Sequence, residues 1–410
     1  MDSFETALAA ATDPVTRDSD LLGAIGLVVD NAGKFLYHHA AGQQSLSPAT
    51  PALNPNSTIT LGSAGKFITH IAALQCVERD KPKNLDGKWL TSLDEPLGEL
   101  LPELASLEVI EPSDAALGFT LRPAAQSITL RHLLTHTSGL GGGDEPLVEL
   151  WRASPAGIAH AAAAPNPIAK LFAHPLLFDP GAGFCYGGSI YFTGMLVARL
   201  TSQPLAEYVQ ANIFEPLGMS LSTLAPQTHP DPQLLGTLLP MVRRTPSGLV
   251  PVEGPTRDAT VSVCDLGVLL SDLLGPASKI LTPASADLLF SPQLAAAALS
   301  DLRGTKEREN YAAPAGVGAG SDLTPQVNWT MAGLLVEGRD ALPVSKMPPG
   351  TVTWNGMPNV VWAMNRERGV GMLFATQLVP VDDEKTVGIM MEFFKGAWAT
   401  YGTPLQKYQG

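Results

Sequence analysis

The sequence predicts an α+β fold: an antiparallel sheet built from both chain ends and flanked by helices, with an inserted helical subdomain. Strand patterns occur near the amino terminus and again beyond residue 326, whereas the residues between them show mainly helical patterns. With 410 residues, of which 45% are hydrophobic, the chain can bury a large core. We therefore expect a discontinuous α/β sheet subdomain of residues 1–60 and 326–410, a mainly helical subdomain of residues 61–325, and an active site at their seam.

At the amino-terminal end, residues 2–12 have the pattern of a short helix. Two strands are predicted next, at residues 24–30 and 34–40, on either side of an Asn-Ala-Gly turn at residues 31–33. Asparagine and glycine are common where a hairpin needs a positive φ. This end of the chain therefore contributes a hairpin to the sheet.

The middle of the chain alternates helical patterns with Pro/Gly loops, and no strand-rich stretch interrupts it convincingly. The clearest helical patterns are at residues 128–134, 189–200, 205–213 and 264–274. Strand patterns return at residues 329–336, 351–354, 359–364 and 369–377, and a helix is predicted at residues 383–401. The resulting order, strands then helices then strands, requires sheet pairing between distant parts of the chain.

Composition excludes several classes of function. The formal net charge of −13, with no basic stripe, argues against binding to nucleic acid or to an anionic membrane. No run of residues is apolar enough to span a bilayer, and the amino terminus lacks the pattern of a secretory signal. Three cysteines are too few for a disulfide framework and match no metal site. We expect a cytoplasmic protein without a metal or cofactor.

The segment Ser63-Ala-Gly-Lys66 is the strongest candidate for catalytic chemistry. A strand pattern ends in glycine just before Ser63, and a helix is predicted to begin at the serine, where backbone N–H groups favour a developing anion. Lys66 follows on the same helical face and can lower the cost of deprotonating the serine. A capping serine with a solvated lysine is the alternative. Apolar neighbours such as Phe67 and Ile68 argue against it, because an unpaired lysine would be costly there.

Two further segments offer partners for Ser63. A glycine-rich turn at residues 179–189 presents Tyr186, and a tyrosine beside a lysine ammonium can take up the serine proton and return it. A strand over residues 350–356 ends in a turn at Met357, whose backbone N–H could form an oxyanion hole with that of Ser63. The alternatives are a packing role for the tyrosine and an ordinary hairpin with Trp354 in the core.

These segments, together with residues 128–140 and 213–219, resemble the serine β-lactamase-like family, which includes class C β-lactamases, penicillin-binding proteins and related esterases. The likeness covers nearly the whole chain and is strongest to fungal lovastatin-type acyltransferases. It implies a β-lactamase/transpeptidase-like fold. It also implies that Ser63 forms an acyl-enzyme, that Lys66 and Tyr186 handle protons, and that the Met357 amide completes the oxyanion hole.

The sequence departs from the penicillin-recognising pattern at two places. Trp354-Asn355-Gly356 stands where that pattern has Lys-Thr-Gly, so the cation that would hold a β-lactam carboxylate is missing. Tyr186-Gly-Gly stands where it has Tyr-x-Asn, which removes an amide that would orient the acyl side chain; Ser189 is a candidate to replace part of it. The resemblance therefore implies ester chemistry rather than β-lactam turnover. The candidate substrate-binding residues are Trp354, Asn355, Gly356, Gly187, Gly188 and Ser189.

Two other features have simpler interpretations. His132 and His136 are four residues apart in the matched helix and loop, and we interpret both as structural, with hydrogen bonds to backbone or side chains. The glycine-rich residues 139–143 lack the Gly-Lys-Ser/Thr ending of a phosphate-binding loop. They are interpreted as a flexible loop at the mouth of the pocket.

The expected function is transfer of an acyl group from a thioester or ester donor, through Ser63, to a hydroxyl of a small polyketide-like acceptor. An acyl carrier protein of a polyketide synthase is one candidate donor. A carboxylesterase with the same serine site is the first alternative, because hydrolysis differs only in the nucleophile that attacks the acyl-enzyme. The second is a noncatalytic ligand-binding member of the fold, against which the intact Ser63, Lys66 and Tyr186 argue.

Overall fold

The fold is known from a computed structural model of the chain. The structure describes residues 1–13, 15, 20–47, 50, 52–79, 89–114, 116, 118–228, 234, 236–254, 259–304 and 326–403. Within them the α-helices are α1 Asp2–Ala11, α2 Lys66–Glu78, α3 Leu130–Leu134, α4 Pro146–Ala153, α5 Pro155–Ala163, α6 Pro167–Phe172, α7 Ser189–Thr201, α8 Leu205–Val209, α9 Glu215–Leu217, α10 Val263–Leu274, α11 Pro283–Leu288, α12 Ala296–Arg303 and α13 Glu384–Tyr401.

The strands of the described residues are β1 Gly23–Asp30, β2 Phe35–Gly42, β3 Thr58–Thr60, β4 Glu108–Pro112, β5 Phe119–Pro123, β6 Ser222–Thr223, β7 Val242–Thr245, β8 Gly248–Pro251, β9 Thr260–Ser262, β10 Val327–Trp329, β11 Leu334–Val336, β12 Val352–Gly356, β13 Val360–Asn365, β14 Val370–Ala375 and β15 Leu378–Val379. Short 3₁₀ turns are at Gly62–Gly65, Pro102–Leu104 and Pro226–Thr228, and a π-helical turn follows α8 at Gln210–Phe214.

The main sheet has seven antiparallel strands in the order β10-β11-β12-β13-β14-β1-β2. The amino-terminal hairpin pairs with the carboxy-terminal strands through β1 and β14, with Leu27 opposite Leu373. Buried residues run almost continuously along β1 and β12 to β14, because helices cover both faces of the sheet. The predicted sheet built from both chain ends is confirmed.

Close packing of helices on the sheet explains two glycines. On one face, a Cβ on Gly26 would lie 2.8 Å from the Phe393 ring of α13 and 3.0 Å from the Phe4 ring of α1. On the other face, a Cβ on Gly371 would lie 3.2 Å from Leu270 Cβ of α10. Side chains from the helices therefore fill the space that a side chain at either glycine would occupy, and the interior stays closely packed.

The prediction that no strands interrupt the middle of the chain was wrong. Small sheets form there in the orders β3-β9-β6, β15-β7-β8 and β4-β5. Their strands within that region are two to five residues long, too short to show an alternating pattern above the loops around them. The predicted strand at residues 329–336 is two strands with a turn between them. The division of the chain at residues 61 and 325 stays a prediction; α10, from the middle region, packs directly on the sheet.

Candidate active site

Ser63 lies in a tight turn between a strand and a buried helix. The chain leaves β3, forms the 3₁₀ turn Gly62–Gly65 and continues directly into α2. The sequence predicts a helix that begins at Ser63, but the α-helix begins at Lys66, because the turn before it is wound more tightly as a 3₁₀ turn. Gly62 has φ +55°, and a Cβ on it would lie 3.2 Å from the Met357 nitrogen. The first N–H groups of such a turn have no intrahelical acceptor, so they remain available at Ser63.

The lysine of this turn contacts the serine directly. Lys66 Nζ donates a hydrogen bond to Ser63 Oγ at 2.6 Å, and both side chains are half-buried. The neighbouring side chains of Phe67 and Ile68 are buried in the core. An ammonium group this close to Oγ stabilises the negative charge that develops when the hydroxyl loses its proton.

Tyr186 completes the group of three predicted catalytic side chains. Its ring centroid lies 5.0 Å from Lys66 Nζ. Its hydroxyl oxygen accepts a hydrogen bond from the indole Nε1 of Trp354 at 3.0 Å. This hydrogen bond fixes the position of the phenol oxygen. The structure thus brings Ser63, Lys66 and Tyr186 together from two distant segments.

The turn that carries Tyr186 is held at several points. At its start, Asp179 forms a two-pronged ion pair with the guanidinium of Arg122, both distances being 2.9 Å. Further along, the Phe184 N–H donates to the Asp301 carboxylate at 3.1 Å. These contacts hold the backbone before Gly181 and after Gly183, so Tyr186 is presented on a rigid support.

Aromatic rings surround Tyr186, and most of them have no signal in the sequence. The Tyr186 ring centroid lies 4.5 Å from that of His136, 5.0 Å from that of Trp354 and 6.2 Å from that of Trp329. Phe184 packs on Trp329 at 5.4 Å. Sequence reasoning missed Trp329 and Phe184, because they come from separate segments with no shared motif. Trp354 is predicted from the sequence as a candidate substrate-binding residue, and in the structure its indole N–H donates to Tyr186.

The end of strand β12 packs against the serine turn. A Cβ on Gly356 would overlap the Leu61 carbonyl oxygen, so this approach requires glycine. From the adjacent strand, Trp362 Nε1 donates to the Ala64 carbonyl at 2.9 Å. Met357 follows with 47% of its side chain exposed, and its backbone nitrogen lies beside Gly62. The backbone N–H groups of Ser63 and Met357 therefore lie at adjoining turns, as a shared oxyanion hole requires.

Ser189 is not placed to contact a substrate. Its side chain is fully buried, and its hydroxyl is 2.8 Å from the hydroxyl of Ser138. Asn355 pairs with Val361 and alternates to the sheet face opposite Trp354. The predicted substrate contact of the Ser189 side chain is therefore wrong, because its burial and its pairing with Ser138 could not be read from sequence, whereas that of Asn355 stays a prediction.

Gly187 and Gly188 are needed for packing. A Cβ on Gly187 would overlap the Gly141 carbonyl carbon, and one on Gly188 would lie 2.8 Å from Phe172 Cδ1. Phe172, itself stacked on Tyr191 at 4.2 Å, thus occupies the space next to this position. Gly188 stands where the penicillin-recognising pattern has asparagine, and an asparagine side chain would not fit there unless the Phe172 ring moved.

Replacing Gly187 by alanine should destabilise the protein by about 1–3 kcal/mol, because overpacking against backbone cannot relax cheaply. The matched control is Gly388→Ala in α13, where no atom lies within 4 Å of the added Cβ. That change should be neutral or stabilise by about 0.5–1 kcal/mol. Chemical denaturation of the two variants measures the difference. Equal free energies of unfolding would contradict the packing role.

The glycine-rich residues 139–143 form an anchored loop, not a flexible one. The Glu145 carboxylate accepts hydrogen bonds from the N–H groups of Gly142 at 2.8 Å and Gly143 at 2.9 Å. The Gly141 carbonyl accepts one from the Gly188 N–H at 2.8 Å. The loop therefore supports the turn that carries Tyr186, and the predicted flexible loop at the pocket mouth is wrong.

The two histidines of the matched segment have different surroundings. His132 Nδ1 accepts a hydrogen bond from the Thr129 N–H at 3.2 Å and caps α3, which confirms its structural role. His136 is buried against Tyr186, and among the described residues its Nδ1 has no hydrogen-bond partner. The predicted polar partner is therefore lacking at this nitrogen, since the ring is packed among other rings.

A second buried histidine lies one helical turn after Lys66. His70 Nδ1 is 2.9 Å from the Met331 carbonyl oxygen. Burial lowers the pKa of His70 to about 4, and the positive charge of Lys66 adds to this effect. At neutral pH the imidazole is therefore uncharged, and it adds no second positive charge beside Lys66.

No group of His, Cys, Asp or Glu side chains within the described ranges could hold a metal ion. In that same part of the chain, no helix is both long and apolar enough to cross a membrane. What the site does contain is a serine, a lysine, a tyrosine and two backbone donors. That set can form and break an acyl-enzyme without a metal.

Comparison with known proteins agrees with this chemistry. A family model described as Beta-lactamase matches residues 8–389, which is most of the chain. The chain belongs to the β-lactamase family. Within it, acyltransferase calJ of Penicillium decumbens is 30% identical over 386 residues, covering 90% of this chain and 88% of that protein.

Two further members extend the likeness to almost the full length. Lovastatin esterase of Penicillium rubens is 30% identical over 426 residues, covering 97% of this chain and 98% of that protein. The unliganded structure of simvastatin synthase (LovD) from Aspergillus terreus superposes with a TM-score of 0.83 at 28% identity, covering 98% of each chain. This chain is therefore an acyl-transfer enzyme of the β-lactamase family, similar to the lovastatin-type acyltransferases, and the resemblance seen in the sequence is confirmed.

Proposed function

We propose that this enzyme transfers an acyl group through a covalent intermediate on Ser63 to the hydroxyl of a small polyketide-like acceptor. The observation that carries the proposal is the hydrogen bond from Lys66 Nζ to Ser63 Oγ at 2.6 Å, beside a tyrosine whose oxygen already accepts an indole N–H. The lovastatin and simvastatin in the names of its relatives support the acceptor class.

In the proposed mechanism, Ser63 Oγ attacks the acyl carbonyl carbon while its proton passes to Tyr186. The Lys66 ammonium and the N–H groups of Ser63 and Met357 stabilise the negative charge that develops. Tyr186 then gives the proton to the departing thiol or alcohol, which leaves the ester on Ser63. In the second half, the acceptor hydroxyl gives its proton to Tyr186, attacks the ester and releases Ser63 with the proton returned.

The site is poorly suited to penicillin recognition. The penicillin-recognising pattern has a lysine, in Lys-Thr-Gly, at the strand position that Trp354 occupies here. Trp354 is only 5% exposed and donates its indole N–H to Tyr186. A β-lactam carboxylate would find no cation at this position. Esters and thioesters need no such contact, which supports them as substrates.

Transfer and hydrolysis can be separated by product analysis. The enzyme is incubated with an acyl thioester and increasing concentrations of a polycyclic alcohol, and free acid and ester are quantified by mass spectrometry. We expect the ester to rise at the expense of the acid, because the acceptor competes with water for the same acyl-enzyme. Free acid alone at saturating alcohol would favour the esterase alternative. No reaction and no acylated protein would favour the noncatalytic alternative.

We further propose that the acyl donor is carried by an acyl carrier protein and that the enzyme is cytoplasmic. None of the three cysteines, all of which lie within the described residues, forms a disulfide, and this supports a reducing compartment. Carrier proteins are commonly acidic, and this chain has a net charge of −13, so docking would have to overcome repulsion. Carrier docking is tested by measuring the transfer rate from a carrier-bound thioester and from a free thioester over a range of salt concentrations. A salt effect equal for both donors would contradict carrier docking.

The hydrogen bond from Trp354 to Tyr186 should matter for rate. Trp354→Phe removes the indole N–H, and we expect kcat to fall by about 10- to 100-fold, the equivalent of one hydrogen bond to a charged group. Trp329→Phe is the matched control, because among the described residues its indole N–H has no partner. Steady-state rates for both variants provide the measurement. A larger loss for Trp329→Phe would mean that ring packing, not the hydrogen bond, supports the tyrosine.

A further inference from the structure

A buried imidazole that the mechanism does not use lies behind Tyr186. The side chain of His136 is 1% exposed, and its ring centroid lies 4.5 Å from that of Tyr186, with 48° between the ring planes. Its carbonyl oxygen accepts a hydrogen bond from the N–H of Cys185, the residue before the tyrosine, at 3.0 Å. His136 therefore touches the tyrosine segment through both its ring and its backbone.

The backbone of His136 has an unfavourable conformation. Its φ is +56°, in the left-handed region that residues other than glycine enter at a cost. Such a conformation persists where surrounding contacts hold it, and these are most frequent at functional sites. Here the ring meets Phe184 at 6.0 Å and Trp329 at 5.3 Å, so neighbours as well as Tyr186 hold it in place.

The ring is uncharged at neutral pH. Burial holds the pKa of His136 well below its usual range, and the neighbouring His70 and Lys66 lower it further. Its Nδ1 has no hydrogen-bond partner within the described ranges. The contribution of the ring to the site is therefore contact with the tyrosine rather than charge.

We propose that His136 is a positioning residue that holds the Tyr186 ring in place for proton exchange with Ser63. The ring of Tyr186 packs against both His136, at 4.5 Å, and Trp354, at 5.0 Å. Without the imidazole, the phenol can shift within the space left behind. Misplacement of a reacting group by about 1 Å can cost about 10²-fold in rate. The proposal rests on the proposed proton-transfer role of Tyr186.

The test variant is His136→Asn, because asparagine tolerates the left-handed conformation but lacks the ring. Acylation by p-nitrophenyl butyrate is followed by stopped-flow release of p-nitrophenol. We expect the acylation rate constant to fall by about 10- to 100-fold, with KM changed less than about threefold. The shape of the pH–rate profile should stay the same, because a positioning residue contributes no ionisation.

His174→Asn is the matched control. This imidazole is equally buried, with 1% exposed, and no ring contact with Tyr186 is found for it in the described part of the chain. Its loss should lower stability to a similar degree and leave acylation near the wild-type rate. Should His136→Asn fail to fold, His136→Gly, which adopts a positive φ freely, replaces it.

Three outcomes would overturn the proposal. These are wild-type acylation by the His136 variant, an equal loss in His174→Asn, or an ionisation missing from the pH profile, which would make His136 a proton-transfer group. Ser63→Ala separates this from failure of the proposed function. If that variant still releases a burst of p-nitrophenol, the acyl-enzyme proposal is wrong; if it releases none while His136→Asn behaves as wild type, only the positioning role is wrong.

Discussion

Replacing Ser63 by alanine will abolish acyl-enzyme formation and lower the rate of transfer by about 10³- to 10⁶-fold, as for other serine nucleophiles. Without Oγ there is no atom to form the ester, and Lys66 loses its hydrogen-bond partner in the turn. Intact-protein mass spectrometry after exposure to an acyl thioester measures the first effect. Wild-type protein should gain the mass of one acyl group, and Ser63→Ala should gain none.

Ser189→Ala is a suitable control for this experiment. Its hydroxyl pairs with Ser138 in the interior, so its removal should lower stability by about 1 kcal/mol while the protein still acylates. A Ser63→Ala enzyme with transfer near the wild-type rate would refute the nucleophile assignment. Loss of acylation in Ser189→Ala, with the fold intact, would restore a substrate contact for that residue.

Lys66→Ala and Tyr186→Phe should each lower kcat/KM by about 10²- to 10⁴-fold, the usual range for a proton-transfer group. The two effects should not multiply in the double variant. Lys66 Nζ contacts Ser63 Oγ at 2.6 Å and lies 5.0 Å from the Tyr186 ring centroid, so we expect the three side chains to act on one proton. Steady-state kinetics of the two single variants and the double variant give the coupling energy.

The control for this cycle is Lys170→Ala, which removes an exposed lysine from α6 and should leave kcat/KM unchanged. A double variant whose loss equals the product of the single losses would contradict a shared role. Full activity of Tyr186→Phe would assign the proton to Lys66 alone, because the lysine is the side chain already hydrogen-bonded to the serine.

The three side chains proposed to be catalytic could be selected from the sequence because their signals are local. The strand before Ser63, the three-residue spacing to Lys66 and the glycine turn around Tyr186 are each written within about ten consecutive residues. Local patterns of this kind specify backbone conformation, which follows from short-range sterics and from the burial of one face of a strand or helix. The strand patterns at both chain ends likewise predicted an antiparallel sheet shared by the two ends, although not its division into seven strands.

The surroundings of the site were not predictable, because they depend on contacts between distant segments. The Trp354 indole binds a tyrosine 168 residues away, and the rings of His136 and Trp329 reach the same tyrosine from two other segments. No periodicity records such contacts, because they arise when packing brings separate elements to one place. For Ser189 the sequence position suggested a substrate contact, which the burial of its side chain excludes.

The identity of the candidate reactive groups, the placement of strands at both chain ends, and the absence of a lysine at position 354 are therefore properties of the sequence. Which rings hold Tyr186, which face of β12 each side chain occupies, and why Gly187 and Gly188 admit no larger residue are decided by tertiary structure. The physical reason is that backbone conformation responds to neighbours along the chain. Side-chain contacts depend on neighbours in space, and in a closely packed interior each side chain has little freedom to move.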